Sequence, residues 1–201
     1  MAQARPASTT IVNEAEWNAA LRELQAKEDA HFDAAEALHA ERRKLPNVEI
    51  TTPYTFVTPD GPRQLADLFN GHPQLVLYHF MFAPEWENGC PNCTKYANSL
   101  GRVQELQKLG TELAFVSRAP LGKIEAYKAK MGWDIPWYSC ETGFSEAMGA
   151  LPGGSDIPAI NVFVPGDAGK VYRTYSTNGR PILTTWGHSG LLNLTPAGSI
   201  Y

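Results

Sequence analysis

Two cysteines separated by two residues are the side chains of this chain best suited to covalent chemistry. The run Gly89-Cys90-Pro91-Asn92-Cys93 is a CxxC motif at the start of a predicted helix. Thiolate is the reactive form of cysteine, and the unpaired N–H groups at a helix N-terminus lower the pKa of a thiol placed there. Proline suits the first helical position, which needs no N–H. The pattern predicts a reactive Cys90, with Cys93 one turn on and close enough to resolve a mixed disulfide.

Metal binding is an alternative use of the same thiols. Cys90 and Cys93, together with His79 and His188, or with Cys140 and a histidine, would offer ligands suited to copper or zinc. The sequence has one CxxC, which excludes a zinc ribbon built on paired CxxC motifs. We expect dithiol chemistry without a cofactor. A copper or zinc site and an inert structural pair remain alternatives, and Cys140 is expected to be a buried small residue or else a third redox thiol.

Two further positions are predicted to serve the dithiol. Ile157-Pro158 directly precedes a predicted hairpin strand. The order of elements is similar to the thioredoxin fold, in which a cis-proline at this place faces the CxxC; Pro158 would then shape the partner groove and Ile157 would contact the substrate. His79, on the strand before the motif, could manage the proton of Cys93 because imidazole titrates near neutral pH. A satisfied core histidine is the alternative interpretation.

Trp86 and Arg118 are the other candidate substrate-binding residues. Trp86 lies in the loop before the CxxC, and Arg118 follows a predicted strand. A guanidinium there could hold a carboxylate or phosphate of a substrate, or support the loop structurally. Glu85 and Glu87 are interpreted as solvated loop carboxylates, although a carboxylate near Cys90 would raise its pKa.

The elements that must position the motif alternate between strands and helices. Residues 75–82 form a continuous apolar run, as expected for a strand covered on both faces, and one helix is predicted at 91–109. This order implies an α/β domain with layers of helices around a mixed sheet. The other predicted elements are strands at 54–57, 113–117 and 137–140, helices at 65–69 and 121–131, and a hairpin of 159–164 with 171–175.

A long helix is predicted before this domain. Asn13 and Glu16 have the spacing of a capping box, and Pro46 ends the run. Apolar residues recur every three to four positions, so the helix needs a surface to pack on. That surface is the protein's own domain or a second copy of the chain, which would give a homodimer through the helix. We predict a helical arm at 1–46 and a thioredoxin-like domain at 47–201.

Composition excludes several classes of function. With 43% hydrophobic and 19% charged residues among 201, the chain can bury a core and is not disordered. The net charge of −4 gives no electrostatic basis for binding nucleic acid or an anionic membrane. The longest apolar run, residues 75–83, is too short to span a bilayer, and the first residues lack the apolar core of a signal peptide. We expect a soluble, cytoplasmic protein.

Short stretches spread from about Asn13 to Ser199 carry a family resemblance. They include Ala40-Glu41-Arg42-Arg43, Leu65-Ala66-Asp67-Leu68-Phe69, Tyr78-His79-Phe80-Met81-Phe82, the CxxC run, Val116-Ser117-Arg118-Ala119-Pro120 and Pro136-Trp137-Tyr138-Ser139. The chain resembles a mostly bacterial thioredoxin-like family, a domain of unknown function whose members are described as predicted dithiol-disulfide oxidoreductases. The resemblance implies dithiol chemistry at Cys90 and Cys93. Cys140, where serine is expected, and residues 184–190 depart from the family pattern.

Together these features predict a thioredoxin-like, three-layer α/β fold with a central mixed sheet and a long N-terminal helix. The predicted function is thiol-disulfide oxidoreductase, acting on a disulfide-bearing protein or a low-molecular-weight thiol. A copper- or zinc-binding protein is one alternative. A non-redox small-molecule enzyme or binding module that uses the same pocket is the other.

Overall fold

The structure is a computed structural model that describes residues 10–196, apart from the side chains of His188 and Ser189. The described chain divides into two compact units. One contains the N-terminal helix and the described residues 190–196, and the other spans Asn47–Ser189. The second unit holds the sheet and the CxxC motif. The division into a helical arm at 1–46 and a thioredoxin-like domain at 47–201 stays a prediction.

Six helices and eight strands are formed by the described residues. The helices are α1 (Glu14–Arg42), α2 (Pro91–Ser99), α3 (Gln104–Lys108), α4 (Leu121–Met131), α5 (Thr142–Ala147) and α6 (Gly187–Asn193). The strands are β1 (Val48–Glu49), β2 (Thr55–Thr58), β3 (Gly61–Gln64), β4 (Gln74–His79), β5 (Thr111–Ser117), β6 (Trp137–Cys140), β7 (Ala159–Pro165) and β8 (Val171–Asn178). Short 3₁₀ turns lie at Leu65–Phe69, Pro152–Gly154, Asp167–Gly169 and Arg180–Thr185.

The strands form one mixed sheet in the order β1-β8-β7-β4-β5-β6-β2-β3. β4, β5 and β6 are parallel, and α4 connects β5 to β6. β7 returns antiparallel to β4, and β8 completes the predicted hairpin. This is the order of strand, CxxC helix, strand, helix and hairpin that the sequence predicts. The α/β fold with a mixed sheet, a thioredoxin-like arrangement and a long N-terminal helix is therefore confirmed.

Two apolar clusters cover the two faces of the sheet. One cluster contains Tyr78, Phe80 and Cys93 with residues of α4, and the other contains Leu77 and Phe144. Successive side chains of a strand point to opposite faces, so β4 contributes alternately to each cluster. This explains why the run is continuously apolar, as predicted for a doubly covered strand.

Helix α1 begins at its predicted capping box and ends at Arg42, four residues before Pro46. The Asn13 side chain accepts from the backbone N–H of Glu16, and the Glu16 carboxylate accepts from the backbone N–H of Asn13, so the predicted capping box is formed. No residue of α1 is buried, and Trp17 and Leu24 are each about half exposed. No helix in the described part of the chain is long and apolar enough to cross a membrane.

The prediction of one helix at residues 91–109 is wrong, because the chain forms α2 and then α3. Gly101 between them has a φ of +65°, a left-handed conformation that favours glycine and ends a helix. The apolar spacing of Leu100, Val103 and Leu106 continues through the break, which is why periodicity alone hides it.

The hydrogen bonds to the buried side chain of Glu112 in β5 can be tested by substitution. Glu112, at 1% exposure, accepts hydrogen bonds from Asn70 Nδ2, from Gln107 Nε2 and from the backbone N–H of Leu113. Glu112→Gln places an amide NH₂ among these donors and should lower the free energy of unfolding by about 1–3 kcal/mol in urea titrations. The matched control is Glu105→Gln, which alters an exposed glutamate and should change stability by less than about 0.5 kcal/mol. Equal effects of the two substitutions would contradict this account.

Candidate functional site

The loop between β4 and α2 carries the CxxC and is fastened to the neighbouring strand and helix. The Ser117 hydroxyl donates to the carbonyl of Phe80 at 2.6 Å, and the backbone N–H of Ala119 donates to that of Phe82 at 2.8 Å. Lys123 of α4 donates to the carbonyls of Pro84 and Trp86, each at 2.9 Å. These bonds satisfy the loop's backbone groups and hold the segment that leads to Cys90.

Gly89 permits the close approach of this loop to the core. A Cβ at this position would lie 2.5 Å from Phe80 Cε1, a distance that real Cβ contacts do not show. Phe80 is 2% exposed and packs against Trp137, with ring centroids 4.5 Å apart, so its ring has little room to move. A residue without a side chain is therefore required immediately before Cys90.

Cys90 is the N-cap of α2 and Pro91 occupies the first turn, as the sequence predicts. The backbone N–H of Cys90 donates to the Met81 carbonyl at 3.0 Å, and the Cys90 carbonyl accepts from the backbone N–H of Thr94 at 2.9 Å. Cys90 is half-buried, whereas Cys93 is 2% exposed. One sulfur therefore reaches the surface and the other faces the core.

The surroundings of Cys90 favour its thiolate. A hydrogen bond from the Cys93 side chain lowers the pKa of Cys90, partial burial opposes this, and the backbone N–H groups of Cys93 and Asn92 lower it further, to about 6. At pH 7 the sulfur is therefore mostly a thiolate. This is the protonation state required of a nucleophile in disulfide exchange.

Cys93 has the opposite character. Its hydrogen bond to Cys90, together with burial, raises the pKa of the Cys93 thiol well above the ordinary value. The Tyr78 hydroxyl and the backbone N–H of Met81 act in the other direction by hydrogen bonding to the Cys93 sulfur. Tyr78 was not among the residues expected from the sequence. The signal that could have found it is alternation along β4, which places residues 78 and 80 on one face and residue 79 on the other.

His79 lies on the face of the sheet away from Cys93. Its ring stacks on Phe144 with centroids 5.4 Å apart, and Phe144 belongs to the cluster on the opposite side from Tyr78. Burial lowers the pKa of His79 to about 3, so the imidazole is neutral at pH 7. Its Nε2 is buried without a hydrogen-bond partner among the described atoms. The structure thus does not bring this histidine together with the CxxC.

Arg118 is held by a carboxylate of the protein itself. Its Nε and Nη2 donate to the two oxygens of Asp156 at 3.0 and 2.5 Å, and both side chains are mostly buried. Asp156 immediately precedes Ile157-Pro158, so the ion pair fixes the segment that enters β7. Ala159, the first residue of β7, pairs with His79 at the end of β4, next to the loop that carries the motif.

The expectation of a cis-proline at Pro158 is wrong, since the structure has no cis peptide bond among the described residues. A trans bond is the ordinary state before proline. The position of Pro158 at the start of the hairpin strand agrees with the sequence. Both Ile157 and Pro158 are partly exposed.

The remaining candidates fall into distinct places. Trp86 is partly buried against the cluster that contains Cys93, while Glu85 and Glu87 are exposed. Cys140 is buried in the other cluster, with its sulfur 3.4 Å from Ser145 Oγ. The exposed carboxylates match the solvated interpretation, and Cys140 is separated from the dithiol by the sheet.

Among the described residues, no group of three or more histidine, cysteine, aspartate or glutamate side chains could hold a metal ion. The His188 side chain lies outside the described part. A cavity of about 250 Å³ lies elsewhere, lined by residues that include Ile50, Tyr54, Leu65 and Val171. None of its lining residues comes from α2 or from the loop before it.

The family description "Bacterial protein of unknown function (DUF899)" matches residues 6–199, nearly the whole chain. The chain belongs to this family. The match extends over the N-terminal helix, the sheet and the CxxC loop together, as the sequence resemblance implies. The description assigns no activity to the DUF899 family, so the chemistry of this member is argued below from its own residues.

Several solved structures are similar to part of this DUF899 protein. Peroxiredoxin Q of Xanthomonas campestris shares 18% identity over 67% of this chain and 88% of its own, with a TM-score of 0.43. A thiol:disulfide interchange protein from Bacteroides sp. shares 13% over 66% and 81%, with a TM-score of 0.46. A thioredoxin-related protein from Neisseria meningitidis serogroup B shares 16% over 67% and 96%, with a TM-score of 0.44. The comparison with curated proteins found no match.

The lowered pKa of Cys90 can be tested by following thiolate absorbance at 240 nm. Reduced protein should show a thiolate that forms with a midpoint near pH 6 and that is lost in Cys90→Ala. Cys93→Ala should move the midpoint upward, because the hydrogen bond from Cys93 is the largest cause of the lowered pKa. Cys140→Ala is the matched control and should leave the midpoint unchanged. An unshifted midpoint in Cys93→Ala would show that this hydrogen bond has no such effect.

Proposed function

We propose that this DUF899 protein is a thiol-disulfide oxidoreductase in which Cys90 is the nucleophile and Cys93 the resolving thiol. The observation that supports the proposal most directly is the half-buried Cys90 at the N-cap of α2, one turn before the buried Cys93. A reactive sulfur at the surface and a second sulfur beneath it are what a two-step exchange requires.

The proposed reaction conserves thiols, disulfides and protons. The Cys90 thiolate attacks one sulfur of a partner disulfide, forming a mixed disulfide and releasing the partner's other sulfur as a thiolate. Cys93 then loses its proton to solvent and attacks Cys90, so that the Cys90–Cys93 bond forms and the second partner sulfur leaves. The partner disulfide is reduced by two electrons and the protein is oxidised by two. The reverse sequence oxidises a partner dithiol.

The partner is a disulfide-bearing protein or a low-molecular-weight thiol. Trp86, Ile157 and Pro158 are the proposed contacts, because all three are partly exposed. Trp86 lies in the loop before the motif, and Ile157-Pro158 precede Ala159, which pairs with His79 at the end of β4. Arg118 is better suited to holding the segment that enters β7 than to binding substrate, because its Nε and Nη2 already donate to Asp156. A cytoplasmic location stays a prediction.

The reduction potential tests the proposal. Thioredoxin has a reactive thiol of pKa about 7 and a potential near −270 mV, whereas a strong oxidant of the same chemistry has values of about 3.5 and −120 mV. A Cys90 pKa of about 6 lies between these values, so we expect a midpoint between roughly −270 and −120 mV.

The titration uses protein equilibrated in dithiol buffers of defined potential, alkylated, and analysed by intact mass. A single two-electron step should appear in the wild type and in the control Cys140→Ala, and should vanish in Cys93→Ser. If no Cys90–Cys93 disulfide forms at any potential, the proposed exchange reaction does not occur.

We also infer that α1 pairs with α1 of a second copy in antiparallel orientation. Trp17 and Leu24 are about half exposed and lie seven residues apart, on one face of the helix. Antiparallel pairing would set Glu14 and Glu16 of the first turn against the basic residues Arg43 and Lys44 of the other copy. Charge complementarity therefore supports a second copy as the partner of this stripe.

Sedimentation velocity tests the pairing. The wild type should sediment as a dimer that weakens as salt is raised, and Trp17→Glu should be monomeric. Ala26→Glu adds the same charge nine residues away, on the opposite face of the helix, and should remain dimeric. A wild type that is monomeric at tens of micromolar, or equal effects of both substitutions, would rule out this pairing.

A further inference from the structure

We infer that Tyr127 of α4 is a positioning residue for the dithiol: through the hydroxyl of Thr94 it holds the main chain of Cys90 where the intramolecular disulfide can close. The inference rests on the proposed thiol-disulfide function. Two hydrogen bonds carry it. The Thr94 hydroxyl donates to the Cys90 carbonyl at 3.0 Å, and the hydroxyl oxygens of Thr94 and Tyr127 lie 2.9 Å apart.

The direction of the second hydrogen bond follows from the first. A threonine hydroxyl has one hydrogen, and Thr94 donates it to Cys90. The Tyr127 hydroxyl is therefore the donor to the Thr94 oxygen. The three groups form a chain from α4 to the carbonyl of the reactive residue, and each bond in such a chain polarises and strengthens the next.

The ring of Tyr127 is held in place by other aromatic rings. Tyr127 is 9% exposed. Its ring centroid lies 5.7 to 6.3 Å from those of four aromatic side chains, Phe80, Phe82, Trp133 and Trp137. Interiors packed in this way leave a side chain little room to move, so the hydroxyl of Tyr127 has a fixed position.

Cys90 needs such an anchor because it lies where the chain enters α2. It is the N-cap, with a non-helical ψ of 129°, and its carbonyl also accepts from the backbone N–H of Thr94 at 2.9 Å. Residues at a helix end are held by fewer backbone bonds than those in its interior. A Cβ at Gly89 would lie 3.3 Å from Tyr127 Cε1, so the same ring also lies against the main chain directly before Cys90.

This restraint matters in the resolving step. Cys93 releases its proton to solvent, and its sulfur attacks the Cys90 sulfur of the mixed disulfide. The Cys90–Cys93 bond forms as the bond from Cys90 to the partner breaks, and the partner sulfur leaves with the electron pair. An intramolecular attack is fast only when both atoms are held near the reacting geometry, and a displacement of about 1 Å can cost about 100-fold. The first step has no such requirement, because a free disulfide approaches Cys90 from solution.

Tyr96 provides a matched control for Tyr127. It is 3% exposed, and its hydroxyl is also hydrogen-bonded to a threonine, at 3.1 Å from Thr185 Oγ1. That oxygen donates to a carbonyl one turn earlier, that of Ile182, at 2.7 Å. Tyr96→Phe and Tyr127→Phe therefore remove the same atom from the same kind of chain, and only the chain that begins at Tyr127 ends at Cys90.

The test follows the reaction with 5,5′-dithiobis(2-nitrobenzoate) by stopped flow in the Cys140→Ala background. The first release of coloured thiolate reports attack by Cys90, and the second reports attack by Cys93 on the mixed disulfide. The reagent is in enough excess that the first release is the faster. Tyr127→Phe should slow the second release about 3- to 10-fold, which corresponds to the loss of one hydrogen bond, and should leave the first within about 2-fold. Tyr96→Phe should leave both within about 2-fold.

Variants of Thr94 show whether Tyr127 acts through this hydroxyl. Thr94→Val removes the hydroxyl at nearly constant shape and should slow the second release as Tyr127→Phe does. Thr94→Ser keeps the hydroxyl and should react as the wild type. In the double variant the two effects should not add, because both substitutions break one chain. A general loss of packing would add in the double variant and would not be restored by serine.

The outcomes separate this inference from the proposed function. If the wild type gives no second release and mass analysis finds no Cys90–Cys93 disulfide, the proposed function fails and the inference with it. If the wild type completes both releases but Tyr127→Phe and Thr94→Val match Tyr96→Phe, or if their effects add, only the inference is overturned. If Tyr127→Phe does not fold, the comparison of Thr94→Val with Thr94→Ser decides, and equal rates of the second release in these two variants would overturn the inference.

Discussion

The covering of β4 on both faces is the constraint on which the site depends. Because strand side chains alternate, the apolar residues of β4 belong in turn to one of two separate apolar clusters, and the chemistry open to each side chain follows from the face on which it lies. Tyr78 joins the cluster that contains Cys93, whereas His79 stacks on Phe144 of the other cluster. The strand thereby places a buried tyrosine on the face of the sheet that carries the dithiol and a neutral imidazole on the other face.

The difference between the two cysteines follows from where the helix begins. Cys90 is the N-cap and is half-buried, and Cys93, one turn later, points into the core. The same hydrogen bond lowers the pKa of the first thiol and raises that of the second. In the proposed exchange, the order of the two steps thus follows from the positions of the two cysteines in the first turn of α2.

Local features of the site could be predicted from the sequence, because short-range chemistry determines them. The CxxC at a helix start, the capping box of α1 and the hairpin after Pro158 all depend on neighbouring residues. The break at Gly101 was hidden because the apolar spacing continues across it. Alternation places residues 78 and 79 on opposite faces of the sheet, but it does not say which face carries α2. The partner of Arg118, Asp156, lies 38 residues away and has no local signal.

The location of Cys140 limits which disulfides this molecule can form on its own. Its sulfur lies in the cluster on one face of the sheet and the dithiol lies on the other face, so the sheet separates Cys140 from Cys90 and Cys93. Three thiols could in principle form three different disulfides. In the folded chain only the Cys90–Cys93 disulfide can form, because Cys140 lies across the sheet. Complete disulfide formation within one chain should therefore leave Cys140 as a free thiol, which neither exchanges with the Cys90–Cys93 disulfide nor reacts with the partner.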